Sequence, residues 1–265
     1  AVLPLLAPNG RLAMANGLRG FLSSIVMLLS PAAAGLLFPL DGGLELSLAL
    51  DISTALAAMA ALSLQAIPDI RGEGRVDMKG AARYVKSDRY LLFLLVFNAA
   101  SSFAISPGAF MTPLLLQREY GASPSMLSVS EMSYSIGMVA GGVIATIAGE
   151  NMRQRRGYAS ALMAYGICLV LIGLVHSFPL YLLLNALIGI STPIYGALLN
   201  ARVQERTEEG MLGRVMALLS ASSSAALPLG MVLFGPLGDA IPIRSVFALS
   251  GAAAAFLSVL GLRRA

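Results

Sequence analysis

The sequence predicts an all-α polytopic membrane protein with eight transmembrane helices, and three observations lead to this prediction. The 265 residues are 57% hydrophobic and only 12% charged, with a mean hydropathy of +0.79, whereas about a quarter of the residues in soluble domains are charged. The few charges separate apolar intervals long enough to cross a bilayer. Lys and Arg also alternate between high and low numbers along the connections.

Eight apolar intervals reach the length of about 20 residues that a membrane helix needs. Residues 20–40, 90–117 and 215–238 contain no Asp, Glu, Lys or Arg. The interval 157–201 also lacks them, but its length suits two crossings, and the proline of "HSFP" at 176–179 separates them. The three remaining intervals each contain one charge, at Asp51 (46–67), Glu131 (126–148) and Arg244 (241–262).

The connections predict the orientation of the chain. From the N-terminal segment to the C-terminal one, Lys and Arg number 2, 0, 6, 1, 3, 0, 3, 1 and 2, so alternate segments hold 16 against 2. Positively charged residues near span ends are retained in the cytoplasm. We therefore expect both ends of this chain on the cytoplasmic side, and the alternation supports the count of eight spans.

The longest connection lies within "IPDIRGEGRVDMKGAARYVKSDRYLL" (67–92) and carries ten charged residues between Asp69 and Arg89. From Val76 onward, its apolar residues have the spacing of a surface helix with a basic opposite face. Two interpretations remain open: a solvated linker retained by its positive charge, or a regulatory or lipid-binding helix.

Enzymatic and nucleic-acid-binding functions lack the residues they would need. Cys168 is the only cysteine and His176 the only histidine, and neither H-E-x-x-H, G-x-S-x-G nor G-x4-G-K-[ST] occurs. The basic residues are scattered between apolar runs, which argues against nucleic acid despite the net charge of +4. We expect no cofactor and no metal site, and a polytopic membrane enzyme is the weaker alternative.

Two predicted spans precede the long charged connection and six follow it. This arrangement resembles the major facilitator superfamily, in which a cytoplasmic loop joins two related six-helix bundles. The resemblance implies that this chain corresponds to spans five to twelve of a twelve-span fold. Residues 1–66 would then be the last two helices of the N-terminal bundle, 67–90 the central cytoplasmic loop and 91–265 the C-terminal bundle.

The first span carries a partial motif of the exporter branch of that family. "LPLLAPNGRLAMANGLRG" and "LLSPAAAGLL" are similar to the beginning of the fifth span in macrolide efflux permeases and the enterobactin exporter. Drug antiporters have G-x8-G-x3-G-P-x2-G-G there. This sequence keeps Gly17, Pro31 and Gly35 and has Val26, Ser30 and Ala34 at the other glycine positions.

Two further segments resemble the same branch. "GRVMALLSASSSAALPLGMVLFGPLGD" (213–239) is similar to the eleventh span, with Arg214 at its inner end and Asp239 at its outer end. "GENMRQRRG" (149–157) is a degenerate form of the basic loop motif G-x3-D-R-x-G-R-R. Gly149 and Arg153 are therefore candidate conformational residues.

The resemblance implies a secondary active transporter of the bacterial inner membrane that exports small hydrophobic or amphiphilic compounds, such as drugs or siderophores. It also implies coupling to the proton gradient and a monomeric protein. The chain opens with "AVLPLL", without an initiator Met or a signal peptide, so we expect a truncated chain that lacks about four spans. A non-transporting remnant is therefore an alternative function.

Polar residues inside the spans are the candidates for a substrate cavity, because such residues are costly in lipid and usually face the protein interior. In the third span, Asn98, Ser101 and Ser102 fall on one face, and Pro107 and Pro113 can bend or break the helix beyond them. The alternative is hydrogen bonding between helices. The other candidates are Tyr134, Ser135, Met138, Tyr165, Asn185, Tyr195 and Asn200.

Two acidic residues are candidates for proton coupling. Glu131 is the only acid within the last six spans and shares a helix face with Tyr134, Ser135 and Met138. A carboxyl group in a membrane can exchange a proton with the gradient. Asp51 in the second span is the other candidate. Both lie near the outer ends of their spans, where an interfacial or structural role is the alternative.

Small residues recur every four positions in the fourth span, at Gly137, Gly141, Ala145 and Gly149. Such a ridge allows two helices to approach closely. We expect it to serve packing between helices that slide during transport.

Overall fold

The computed structural model of the chain describes residues 42–63, 78–154, 157–208 and 210–264, with a few isolated positions between 26 and 37. Within these ranges all regular structure is helical, in nine helices. These are α1 (Gly43–Ser63), α2 (Met78–Ser87), α3 (Arg89–Phe110), α4 (Thr112–Tyr120), α5 (Pro124–Gln154), α6 (Gly157–Leu174), α7 (Phe178–Arg206), α8 (Leu212–Ala240) and α9 (Ile243–Arg264).

Seven of these helices are long and apolar enough to cross a membrane: α1, α3 and α5 to α9. They coincide with seven of the eight predicted spans. The predicted first span, residues 20–40, lies outside the described ranges apart from the isolated positions. The predicted fold class, an all-α polytopic membrane protein, is therefore confirmed.

The charge-free interval 90–117, predicted to hold the third span, contains two helices, and the helix break predicted at Pro113 is confirmed. α3 ends at Phe110, and the short helix α4 begins at Thr112. The cause is Pro113, which occupies the first turn of α4. Proline lacks the N–H group that would continue the α3 ladder, and its ring clashes with the preceding turn, but it fits the start of a new helix.

A second proline is tolerated inside α3. Pro107 leaves the carbonyl oxygen of Phe103 without its usual helical donor. The hydroxyl of the neighbouring Ser106 donates to that oxygen at 2.8 Å. The hydroxyl thus satisfies the freed carbonyl, which is how prolines are accommodated within membrane helices.

The described helices belong to two compact units. The first contains α1 and the segment Ser123–Met132, and the second contains α2 to α4, the part of α5 from Ser133 onward, and α6 to α9. The division at 1–66, 67–90 and 91–265 remains a prediction from the sequence. All side-chain clusters described below lie within the second unit.

Helices α6 and α9 cross with their backbones in contact. A Cβ atom added to Gly166 would lie 2.7 Å from the amide nitrogen of Ala255 and 2.7 Å from the carbonyl oxygen of Gly251. The hydroxyl of Ser258 donates to the carbonyl oxygen of Ala159 at 2.6 Å. Glycine is required at this crossing because the two backbones are in contact.

Replacing Gly166 with alanine is expected to lower stability by about 1–3 kcal/mol, the usual cost of an overpacked core. The methyl group meets backbone atoms of α9, which cannot rotate away. The measurement is the thermal midpoint of the detergent-extracted protein. Gly196→Ala is the matched control, because a Cβ atom there meets nothing within 4 Å; a Gly166→Ala midpoint equal to that of the control contradicts the close crossing.

Candidate functional site

A polar cluster with a buried centre lies between α3, α7 and α8. The Asn98 amide nitrogen donates to the hydroxyl of Ser223 at 2.6 Å and to the hydroxyl of Ser222 at 3.3 Å. The phenol of Tyr195 donates to the Asn98 amide oxygen at 3.3 Å. Ser101, one turn after Asn98, is fully buried beside Tyr195. We call these five residues the Asn98 cluster.

The Asn98 cluster contains no charged side chain. Asn98 is 5% exposed, and its amide nitrogen also donates to the Leu219 carbonyl oxygen at 3.3 Å. Hydroxyl and amide groups can exchange these bonds for bonds to a bound molecule without burying an unpaired ion. The cluster is therefore suited to a neutral molecule that offers both hydrogen-bond donors and acceptors.

Sequence reasoning found the α3 and α7 members of this cluster and missed those of α8. Ser222 and Ser223 belong to the run "SASSSA" at 220–225, four serines inside an otherwise apolar span. Both hydroxyls also donate to the carbonyl oxygen of Leu219 in their own helix. The sequence feature that could have identified Ser222 and Ser223 is this local concentration of hydroxyl groups in a span that contains no charge.

A second polar contact joins α5 to α7. The Tyr134 phenol donates to the Thr192 hydroxyl at 3.3 Å, and the Asn185 amide donates to the Ser133 hydroxyl at 3.2 Å. The backbones are close here, because Cβ atoms added to Gly137 and Gly141 would collide with the carbonyl oxygens of Ala186 and Ile190. Ala186 and Ile190 belong to α7. The first two glycines of the small-residue ridge thus face the neighbouring helix.

The other predicted cavity residues are dispersed. Ser135 is buried and Met138 half-buried on α5, while Ser102 is half-buried on α3. Tyr165 of α6 is buried against α3, where a Cβ atom on Gly108 would lie 3.0 Å from its phenol oxygen. Asn200 is exposed near the end of α7 and lies outside the Asn98 cluster.

The predicted coupling residues Glu131 and Asp51 are both exposed and belong to the first unit. The predicted conformational residues Gly149, Arg153 and Arg214 lie outside the Asn98 cluster. Gly149 and Arg153 lie in the last two turns of α5, and Arg214 is exposed in the first turn of α8. The motif residues Gly17, Pro31 and Gly35 lie outside the described residues.

The short helix α4 is held by two arginine clusters at one end of the second unit. The Arg244 guanidinium donates from Nε to the Glu119 carboxylate at 2.5 Å and from Nη1 to the Val175 carbonyl oxygen. Arg118 binds the Asp239 carboxylate at 2.8 Å. The side chains of the first pair are 13% and 25% exposed, and those of the second 42% and 73%. Only the first pair is shielded enough to contribute substantially to stability.

Tyr120, the last residue of α4, completes this region. Its ring lies 5.6 Å beneath the Arg244 guanidinium and packs against Phe178 and Tyr181. Its phenol donates to the Val175 carbonyl oxygen at 3.1 Å. Burial raises the pKa of Tyr120, so the phenol stays protonated and remains a donor.

The opposite end of the unit is joined by the Asp88–Arg206 ion pair. One Asp88 oxygen caps α3 by accepting from the amides of Tyr90 and Leu91 at 2.8 and 3.1 Å, and the other accepts from Arg206 Nε at 2.7 Å. Partial desolvation raises the pKa of the Asp88 carboxyl, but the amide and guanidinium donors outweigh it and leave this pKa below 3.8. The charged form is therefore bound more favourably in the folded protein.

Replacing Asp88 with alanine is expected to lower stability at neutral pH by about 1 kcal/mol, the usual value of a helix N-cap. Because the folded pKa lies below the ordinary 3.8, this contribution is present above pH 3.8 and is lost as the pH falls below it. The difference in thermal midpoint between wild type and Asp88→Ala should therefore shrink on acidification. Asp88→Asn retains the cap without the ion pair and should fall between them; a pH-independent difference contradicts the assignment.

Metal binding has no support in the described part of the chain, where no three His, Cys, Asp or Glu side chains come together in a possible site.

Residues 91–264 match the family model of the Major Facilitator Superfamily. Macrolide efflux protein A of Streptococcus pyogenes is 27% identical over 260 residues, covering 95% of this chain and 64% of that protein. Macrolide efflux protein A of Enterococcus faecalis is 27% identical over 240 residues, covering 87% of this chain and 74% of that protein. Multidrug efflux pump Tap of Mycolicibacterium fortuitum is 30% identical over 124 residues, covering 47% of this chain and 30% of that protein.

The chain therefore spans 64% of the length of the Streptococcus pyogenes protein and 30% of the length of the Mycolicibacterium fortuitum protein. The family match extends from the first turn of α3 to the end of α9 and includes every residue of the Asn98 cluster. This chain is an integral membrane protein that belongs to the Major Facilitator Superfamily, a family of transporters and not of enzymes.

Proposed function

We propose that this chain is part of a secondary active transporter that exports small amphiphilic compounds, with macrolide-like drugs as the first class to test. Two of the relatives compared above are named macrolide efflux proteins and the third a multidrug efflux pump. The observation that carries the proposal is the Asn98 cluster, which offers uncharged donors and acceptors between three membrane-spanning helices.

The chemistry of the cluster supports a neutral or weakly charged substrate region. Asn98, Tyr195 and the serines of α8 provide amide and hydroxyl groups. The rings of Phe103 (α3) and Phe234 (α8) pack in a tilted arrangement with their centroids 5.4 Å apart. Hydrogen-bonding groups and aromatic rings on the same pair of helices suit organic molecules with an apolar body and several hydroxyl groups. Siderophores are a second substrate class within this proposal.

Export is proposed to be driven by the proton gradient, with Glu131 as the coupling residue and Asp51 as the second candidate. Each is a carboxylate within a candidate span, where acidic residues commonly serve in proton relays. The protein would act in a bacterial inner membrane with both ends of this chain in the cytoplasm, as the Lys and Arg distribution predicts, and as a monomer.

The test is macrolide efflux by the complete native polypeptide, expressed in bacteria that lack their own pumps. Loaded cells should release the drug, and a protonophore should stop the release. Glu131→Gln should remove protonophore-sensitive export, whereas Glu45→Gln, an exposed carboxylate in the first turn of α1, should leave it unchanged. Loss of export in Asp51→Asn instead would assign the coupling to that residue.

The alternative function, a non-transporting remnant, makes the opposite prediction in the same assay. Membrane-inserted protein would then export neither a macrolide nor a siderophore, with or without a proton gradient. That outcome would leave the family membership intact and would refute the proposed function.

A further inference from the structure

A cavity of about 510 Å³ opens at the end of the second unit that carries the Asp88–Arg206 pair. Its lining comes from the end of α2, the start of α3 and the end of α7. The lining residues are Tyr84, Ser87, Asp88, Arg89, Tyr90, Arg206 and Glu208. We call it the inner-end cavity.

The depth of this cavity follows from the spans that border it. Arg89 is the first residue of one candidate membrane span, and Arg206 is the last residue of another. The cavity therefore lies where two spans leave the hydrocarbon layer, at the depth of the lipid headgroups. Tyr84 and Tyr90 line it, and tyrosine is enriched at this interface.

Helix α2 is fixed beside the cavity and exposes Arg83 and Lys86. Ala81 and Val85 are buried, and α2 packs on α3 and α8. The Tyr84 phenol accepts a hydrogen bond from the Glu208 amide at 3.1 Å, which ties α2 to the segment after α7. Arg83 and Lys86 are exposed on the same helix, and Arg89 is exposed just beyond it.

The charges around the cavity favour an anion. Arg206 neutralises Asp88 through Nε, and its side chain remains 58% exposed, so its terminal nitrogens can donate further bonds. Glu208 is the second carboxylate of the lining and opposes an anion. The lining itself balances Arg89 and Arg206 against the two carboxylates. The excess of two positive charges in this region comes from Arg83 and Lys86, which are exposed on α2 beside the cavity. Arginine is well suited to bidentate binding of phosphate.

We propose that the inner-end cavity binds the phosphodiester headgroup of an anionic phospholipid, with Arg89 and Arg206 as donors and Arg83 and Lys86 as an outer basic rim. This assigns the lipid-binding interpretation to the surface helix. The Lys and Arg distribution predicts that this end faces the cytoplasm, where a negatively charged leaflet attracts basic segments. The occupant binds at the membrane surface and is distinct from the exported compound.

The test is lipid binding by the complete native polypeptide in a neutral detergent, followed by native mass spectrometry and by the thermal midpoint. Phosphatidylglycerol should remain bound and raise the midpoint, and phosphatidylcholine should do so at least tenfold less effectively. Arg89→Gln should weaken phosphatidylglycerol binding at least tenfold. Arg263→Gln removes an exposed positive charge of α9 outside the cavity lining and should leave binding unchanged.

A second arm separates the lipid from a free anion. Inorganic phosphate at the same concentration should neither raise the midpoint nor displace phosphatidylglycerol. Equal binding of the two lipids, wild-type binding by Arg89→Gln, or full stabilisation by inorganic phosphate would each overturn the proposal. The double variant Arg83→Gln/Lys86→Gln should reduce binding and weaken its dependence on salt, because the rim acts through screened charge.

Discussion

Asn98→Leu is expected to reduce macrolide export by the complete transporter at least tenfold. The leucine has a similar volume but removes an amide that holds the hydroxyls of Ser222, Ser223 and Tyr195. A substrate that bonds to this cluster would lose its partners, and a tenfold loss corresponds to about 1.4 kcal/mol. The measurement is the initial rate of efflux as a function of drug concentration, normalised to the protein present in the membrane.

Asn200→Leu is the matched control for this experiment. Asn200 is the same residue type on α7, the helix that carries Tyr195, but it is exposed and outside the cluster. Its export should equal that of wild type. A purely structural role of Asn98 predicts a lower thermal midpoint with unchanged half-saturating drug concentration in the remaining folded protein, and that result would contradict a role in substrate binding.

Arg244→Leu is expected to destabilise the folded protein by roughly 3 kcal/mol, the scale for removing one partner of a shielded ion pair. It leaves the Glu119 carboxylate, which is only 25% exposed, without its guanidinium partner. It also removes the donor to the Val175 carbonyl and the cation above Tyr120. The measurement is the thermal midpoint of the detergent-extracted protein.

Arg118→Leu provides the control, because it breaks the second arginine–carboxylate pair that holds α4. The side chains of this pair, Arg118 and Asp239, are largely exposed. It should cost no more than about 1 kcal/mol. The double variant Glu119→Leu/Arg244→Leu should recover part of the loss, since no unpaired buried charge remains. Equal destabilisation by Arg118→Leu and Arg244→Leu would contradict the unequal contribution assigned to the two pairs.

Much of the fold could be predicted because the membrane imposes a simple rule on the sequence. Long charge-free intervals must be helices, and seven of the predicted spans coincide with described helices. The boundary of the third span could not be located within 90–117 because residues 111–117 also contain no charged residue. Composition could not reveal that Pro113 begins a new helix, although the residue was recognised as a possible break.

The candidate site was less accessible to sequence reasoning than the fold. Asn98, Ser101 and Tyr195 were selected because polar groups in spans usually face the interior, and the structure brings these three together. Ser222 and Ser223, which bond to Asn98, lie 124 and 125 positions after it in the sequence. The pairing of Glu119 with Arg244 depends in the same way on helix packing that a single sequence does not encode locally.

The most direct test of the proposed substrate site is equilibrium binding of a radiolabelled macrolide to the purified complete protein. The wild type and Asn200→Leu should bind with the same Kd, and Asn98→Leu should raise the Kd at least tenfold. Both variants must first show thermal midpoints close to that of wild type, so that the comparison concerns folded protein. Unchanged macrolide affinity in a folded Asn98→Leu protein would contradict the assignment of the Asn98 cluster to the substrate pathway.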